Sequence, residues 1–231
     1  EMQRSLVGSE MCIRDSLESA QRRQGQVSNH SDKHQEKERE TVMATKTDIR
    51  RDIRQLKRML TDEQKAIAAS KCFSRLEQCQ EFIDADRILV YASLPDEIST
   101  DEFISRWYGR KQIFLPRVNG DDLDILPYRP GDTAEGAFGI DEPTGNECRD
   151  ISEIDLVVVP AMAFDRRGNR LGRGRGFYDR LLHNATCPLI GAAYAIQIVE
   201  HIPAEPHDIK IPTIVTDEET IRIQQYGISN S

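Results

Sequence analysis

The stretch IDLVVVPAMAFDRRGNRLGRGRGFYDR, residues 154–180, sets a run of apolar, β-branched residues (Ile154 to Phe164) against an alternation of glycine and arginine, then an apparent helix. The apolar run predicts a strand from Ile154 to Phe164, and a helix from Phe177 to about Asn184 follows the loop. Three glycines, Gly172, Gly174 and Gly176, interleave with Arg173 and Arg175. Backbone of that kind can approach an anion closely while two guanidiniums neutralise it.

The flanking sequence extends the pattern. Thr45 or Asp48 is placed to cap a helix bearing Ile49, Ile53, Leu56 and Leu60, and TDEQ (Thr61 to Gln64) reads as a capping box opening a second helix toward Phe82. RILVYASL (Arg87 to Leu94) is a short strand, and PDEISTDEFISRWYG restarts a helix with Ser99 or Thr100 as its cap. KQIFLPRV (Lys111 to Val118) is the next strand. Asn119 to Glu153 holds a short strand, LDILPY, before the turn-rich PGDTAEGAFGIDEPTGN. Beyond the glycine loop come a strand, PLIGAAY, a short helix around Ile196 to His201, and a final strand, IPTIVT. Strands alternating with helices predict an α/β fold, its sheet of parallel character with helices on both faces.

Composition narrows the function classes. A chain of 231 residues with 38% hydrophobic content supports one domain plus a tail. The net charge of −8 argues against general nucleic-acid binding, which needs a basic face to displace counterions. The five cysteines, Cys12, Cys72, Cys79, Cys148 and Cys187, are odd in number and form no CxxC pair, so they suggest neither a disulfide framework nor a zinc site. With no membrane-length apolar run and no signal-peptide pattern, a cytoplasmic protein away from membranes is expected. Residues 1–42 are polar and mixed in charge, which predicts disorder. Their opening resembles a translated sequencing adapter, which would make Met43 the native start; the competing transit-peptide reading is opposed by the many acids there. Residues 43–231 then form the domain.

The glycine loop fits neither common nucleotide fingerprint. G-x-G-x-x-G fails at Phe177 or at Asp179 depending on where it starts, and Gly-Lys followed by Ser or Thr is absent. An RG-rich solvated turn is the plain alternative, weakened by the cost of about 0.5–1 kcal/mol that each glycine imposes in a regular element. Asp179, one turn into the following helix, can hold Mg2+ while the loop holds an anion. Asp208 is a second candidate acid, against the plainer role of a cap or surface acid in PAEPHDIKIP, and His207 beside it reads as structural. Lys46 and Arg50, at i and i+4, share one helix face and by themselves read as solvated surface.

Six blocks in order, KTDIR (Lys46 to Arg50), LPDEIST (Leu94 to Thr100), FGIDEP (Phe138 to Pro143), GNRLGRGRGFYDR (Gly168 to Arg180), GAAYAIQIVEHIPAEPHD (Gly191 to Asp208) and IVTDE (Ile214 to Glu218), resemble the 5-formyltetrahydrofolate cyclo-ligases, from about Thr45 to Thr220. The resemblance implies a three-layer α/β/α fold with a largely parallel mixed central sheet, of the sugar-phosphate isomerase and CoA-transferase type. It implies ATP-dependent closure of 5-formyltetrahydrofolate to 5,10-methenyltetrahydrofolate, with MgATP as co-substrate, no nucleic-acid partner and a monomer or weak dimer. Carried over by position, Lys46 and Arg50 contact ATP phosphates. Arg170, Leu171, Gly172, Arg173, Gly174, Arg175, Gly176, Phe177 and Tyr178 wrap the nucleotide. Arg173 and Arg175 act on the transferring phosphoryl group, and Asp179 and Asp208 bind Mg2+. Ala92, Glu97, Phe138, Arg173 and Phe177 face the folate, with Glu97 accepting from pterin amino and ring N–H groups. The chain departs from the family at Arg175, where other members carry Gly or Lys, and at Phe177, where Tyr is usual. Two rivals stand beside this reading: another α/β enzyme of the isomerase or transferase type, and a non-catalytic folate- or nucleotide-binding relative.

Overall fold

Within Leu156–Val159, Leu156 and Val158 pack to one side of a sheet while Val157 and Val159 pack to the other, and all four are buried. A strand apolar on both faces needs a covering layer on each, and the computed structural model, which describes residues 44–136, 139–205 and 208–223, supplies them.

Three N-terminal helices come first: α1 (Lys46–Arg58), α2 (Asp62–Leu76) and α3 (Gln80–Asp84). Strand β1 (Arg87–Leu89), helix α4 (Asp101–Trp107) and the hairpin of β2 (Gln112–Asn119) with β3 (Asp122–Pro127) follow, then a second hairpin, β4 (Thr133–Glu135) with β5 (Asp141–Pro143). The chain continues through β6 (Leu156–Val159), β7 (Ala163–Asp165), β8 (Arg170–Leu171), α5 (Phe177–His183), β9 (Leu189–Ala192), β10 (Ile198–Val199), β11 (Thr213–Val215) and β12 (Thr220–Arg222). The central sheet has seven strands in the order β12-β11-β9-β6-β1-β2-β3. Its five inner strands are parallel and its two edges antiparallel. Helices α2, α3 and α4 cover one face through Phe73, Leu76, Phe82 and Phe103, while Leu182 of α5 and Phe164 of β7 cover the other. The expected three-layer α/β/α architecture with a largely parallel mixed sheet is the one observed. Among the described residues, no helix is long and apolar enough to cross a membrane.

Local chemistry explains the element ends. Thr45 and Asp48 close a capping box on α1, and Thr61 and Gln64 another on α2. The second helix does not run on to Phe82 as expected. It stops at Leu76, and α3 restarts after the extended Cys79, which brings the Phe82 ring within 5.7 Å of Phe103 and 4.8 Å of Trp107. The strand expected from Arg87 to Leu94 keeps only Arg87–Leu89 in the sheet. Nor is Ile154–Phe164 one strand. Pro160, which has no N–H for a ladder, follows the end of β6, and Ala163–Asp165 joins a separate three-stranded sheet, β10-β7-β8. The helix expected around Ile196 to His201 is a 3-10 turn, Ala195–Gln197, leading into β10. The antiparallel edge strand β12 was not anticipated.

Gly191, central in β9, leaves room for the Phe164 ring: a Cβ there would sit 2.6 Å from Phe164 Cζ. Phe164 is fully buried in the core on that face of the sheet. Gly191→Ala is expected to destabilise the fold by about 1–3 kcal/mol, measured as a lower urea midpoint with an unchanged slope; an unchanged midpoint would show that the ring repacks freely.

Candidate functional site

The chain order of the central sheet reverses between β1 and β6: β1 leads to β2 on one side, β6 to β9 and β11 on the other. Ligand crevices in open α/β sheets form at such a switch point, beyond the carboxyl ends of the strands. Here a cleft of about 500 Å3 is lined by segments following both strands, Tyr91 to Glu97 after β1 and Pro160 and Ala161 after β6, and by the glycine loop. Pro116, Val118, Leu123 and Ile140 give it an apolar wall.

A buried turn aims the loop. Asp165, fully buried, accepts from Arg167 N at 2.9 Å, Asn169 N at 3.0 Å, Asn169 Nδ2 at 2.7 Å and Ile202 N at 3.1 Å. This fixes the β7–β8 hairpin, so residues 172–176 leave β8 in one direction. Gly174 and Gly176 then adopt φ of 106° and 71°, angles that few residues other than glycine tolerate. Helix α5 has only seven residues, so the guanidiniums rather than a helix dipole supply most of the positive field.

The Ala92–Thr100 segment is fixed just as firmly. Tyr91 Oη donates to Ile98 O at 2.9 Å, Thr100 Oγ1 to Tyr91 O at 2.8 Å, and Tyr194 Oη to Glu97 O at 3.0 Å. Leu94 N donates to Glu97 Oε2 at 3.1 Å, while Arg173 Nε donates to Glu97 Oε1 at 3.0 Å. The Arg173 guanidinium also bonds Asp96. Burial raises the Glu97 carboxyl above its usual range despite Arg173 beside it. Burial would likewise raise Asp96, but Lys57 and Arg173 hold it below the ordinary value. At the far end, Arg170 bonds Asp179 and its guanidinium lies 5.8 Å over the Tyr178 ring. Among the described residues the buried Tyr178 hydroxyl has no hydrogen-bond partner, and burial raises its pKa far above normal.

Of the residues picked from sequence, Ala92, Glu97, Arg170, Gly172, Arg173, Arg175, Gly176, Phe177, Tyr178 and Asp179 line this one cleft. Lys46, Arg50, Leu171, Gly174 and Asp208 do not. Arg50 Nε donates to Gly172 O at 2.9 Å, so α1 holds the loop from behind. Lys46 Nζ lies 3.1 Å from Glu205 and 3.5 Å from Asp208. Leu171 is 2% exposed, packed with Ile49, Ile53 and Met162, and its carbonyl accepts from Met162 N at 2.8 Å, so it serves the core. Phe138 and His207 lie outside the described residues.

A magnesium ion usually takes one or two carboxylates, with water and phosphate oxygens completing the shell. No group of three or more metal-ligating side chains occurs among the described residues. Asp179 faces the cleft beside Arg170, whereas Asp208 is engaged by Lys46, so the two acids have different neighbours. Asp179 with phosphate oxygens is a donor set that suits Mg2+; the structure does not join the two acids into one cage.

Sequence reasoning missed Asp96 and Lys57. Asp96 sits within the LPDEIST block beside Glu97, and nothing local in that block distinguishes it as a partner of Arg173. Lys57 stands eleven residues beyond Lys46, three helical turns, so the shared face of Lys46, Arg50 and Lys57 was legible. A lysine on an amphipathic helix ordinarily faces solvent, and that expectation hid it.

A sequence model of the 5-formyltetrahydrofolate cyclo-ligase family matches residues 42–217. The 5-formyltetrahydrofolate cyclo-ligase of Escherichia coli strain K12 is 34% identical over 176 residues, covering 71% of this chain and 96% of that protein. The one from Haemophilus influenzae is 37% identical over 175 residues, covering 71% and 92%. Among solved structures, the 5,10-methenyltetrahydrofolate synthetase of Aquifex aeolicus superposes with a TM-score of 0.73 at 29% identity, covering 80% of this chain and 96% of that one.

Proposed function

The chain belongs to the 5-formyltetrahydrofolate cyclo-ligase family, and we propose that its switch-point cleft closes 5-formyltetrahydrofolate to 5,10-methenyltetrahydrofolate, with ATP activating the formyl oxygen. The observation that carries this reading is the placement of Arg173. It spans Glu97, an acid suited to a pterin edge, and the glycine loop, suited to a phosphoryl group, so one residue faces both substrates.

The formyl oxygen is a poor leaving group. Its attack on the γ-phosphorus, with departure of ADP, converts it into a phosphate ester; the N-10 nitrogen then attacks the formyl carbon, loses its proton, and phosphate departs with the oxygen. Phosphoryl transfer asks mainly for positioning and charge neutralisation, which suits a cleft whose charged groups are fixed in advance. Arg173 and Arg175 neutralise the transferring group. Glu97 accepts from the pterin amino and ring N–H groups, while Ala92, Phe177 and the apolar wall exclude water from the ring. The loop from Arg170 to Tyr178 cradles the nucleotide, with Arg50 bracing it at Gly172 and Lys46 as a further candidate for the phosphates from outside the lining. Asp179 would hold Mg2+ from within the cleft, and Asp208, outside the lining beside Lys46, is the second candidate acid. When bound, the ion offsets charge on the triphosphate.

The test is an absorbance assay. Protein, 5-formyltetrahydrofolate and MgATP at mildly acidic pH should give an ATP-dependent rise in methenyl absorbance. No rise would overturn the catalytic reading in favour of a binding-only relative or a different α/β enzyme. Asp179→Asn is expected to lower turnover at least about tenfold, equivalent to ~1.4 kcal/mol of barrier, while its thermal unfolding stays near the parent's. Parent-like turnover at limiting Mg2+ would remove Asp179 from the metal site.

A further inference from the structure

Lys57 lies outside the cleft lining, on the inward face of α1, with its side chain 2% exposed. A buried ammonium is costly to keep unless it is paired, and here its Nζ sits 2.8 Å from Asp96 Oδ2. The other Asp96 oxygen receives the guanidinium of Arg173. Arg173 in turn donates through Nε to Glu97 Oε1 at 3.0 Å. Four charged groups of alternating sign, Lys57, Asp96, Arg173 and Glu97, therefore form a chain from the back of α1 to the floor of the cleft. Arg173 stands on a three-glycine loop with little intrinsic rigidity, and its side chain is a third exposed. Asp96 and Glu97 together direct the Arg173 guanidinium, and the cation set against Asp96 from α1 is Lys57, as a close ion pair rather than an aligned hydrogen bond.

We propose that Lys57 is a positioning residue for the cyclisation: it clamps Asp96 so that Arg173 is held pre-aimed between the folate carboxylate partner Glu97 and the transferring phosphoryl group. Lys57 touches neither substrate and acts through Asp96 alone. The inference rests on the reading of the cleft as the cyclo-ligase site.

The experiment compares Lys57→Met, Lys57→Arg, Asp96→Asn and the double variant Lys57→Met/Asp96→Asn with the parent in the methenyl assay, alongside thermal unfolding. Misplacing a charge-neutralising group by about 1 Å can cost on the order of a hundredfold. Lys57→Met is expected to lower kcat about ten- to a hundredfold with KM for ATP little changed, and Lys57→Arg to recover most of it. The double variant should lose no more than the worse single variant, because both changes cut one chain. Parent-like kcat in a folded Lys57→Met protein, or losses that multiply in the double variant, would overturn the proposal. Should Lys57→Met fail to fold, Asp96→Asn decides: it keeps a carbonyl oxygen toward Lys57, and a parent-like kcat there breaks the chain at its middle. A parent protein with no turnover at all sinks this proposal together with the reading it rests on. An active parent with an indifferent Lys57 sinks this proposal only.

Discussion

Arg173→Ala is expected to lower kcat about a thousandfold, the scale on which a phosphoryl-transfer arginine acts. The residue is the meeting point of the cleft, bonded to Asp96 and Glu97 while standing in the glycine loop. Its removal costs more than one positive charge. Two carboxylates that shared it lose that cation, Asp96 keeping Lys57, and Glu97, already raised by burial, moves further toward its neutral form. The KM for the folate should therefore rise along with the fall in kcat. Arg173→Lys should restore only part of the activity, because an ammonium is a point charge and cannot present the planar fork that engages Asp96 and Glu97 together. Steady-state kinetics in the methenyl assay checks both variants. Turnover in Arg173→Ala close to that of the parent would remove the arginine from the chemistry.

Glu97→Gln is expected to lower kcat/KM for the folate about a hundredfold, chiefly through KM, since charge-assisted hydrogen bonds contribute about 1.5–3 kcal/mol each. Glutamine keeps the shape but turns one acceptor oxygen into an N–H donor, so the change removes the charge together with one acceptor. The pH dependence gives a sharper signature. Burial, only partly opposed by Arg173, raises the Glu97 carboxyl above its ordinary value of 4.5, and the neutral acid is the weaker acceptor for pterin N–H groups. The parent KM for the folate should climb as pH falls through that raised value, and this limb should be missing from Glu97→Gln. The sign for stability runs the other way. A carboxyl with a raised folded pKa favours the folded state at pH below 4.5 and loses that contribution as pH rises through the folded value. Glu97→Gln should then unfold at neutral pH at a denaturant concentration no lower than the parent. A variant clearly less stable at neutral pH, or a parent KM flat across the acidic range, would show that the charged form is the one the fold favours.

These expectations depend on contacts between segments far apart in the chain. Arg173 and Glu97 are 76 positions apart, and Lys57 and Asp96 come from different elements. Sequence pattern reached both partners of the first contact and neither partner of the second. The Gly-Arg alternation marked a loop for anions because glycine permits backbone angles that other residues resist. The DEI of LPDEIST marked Glu97 by resemblance, and the capping box at Thr61 to Gln64 was legible because it closes within four residues. The break at Pro160 was also present in the sequence, yet a run of apolar residues hides where one sheet ends and another begins. The pattern records burial and not the partner that provides it.

By itself, the sequence determined the layered α/β class and, through its ordered motifs, the family, and it singled out the glycine loop as a candidate anion site, since periodicity, composition and short motifs are local properties. Tertiary structure alone decided which charges meet. It placed Asp179 in the cleft and Asp208 beside Lys46, turned Leu171 into the core, and buried Lys57 against Asp96. The physical reason is that an ion pair's value depends on distance and on removal from water. Neither is set until parallel strands have chosen their order and the loops at their ends have been brought together.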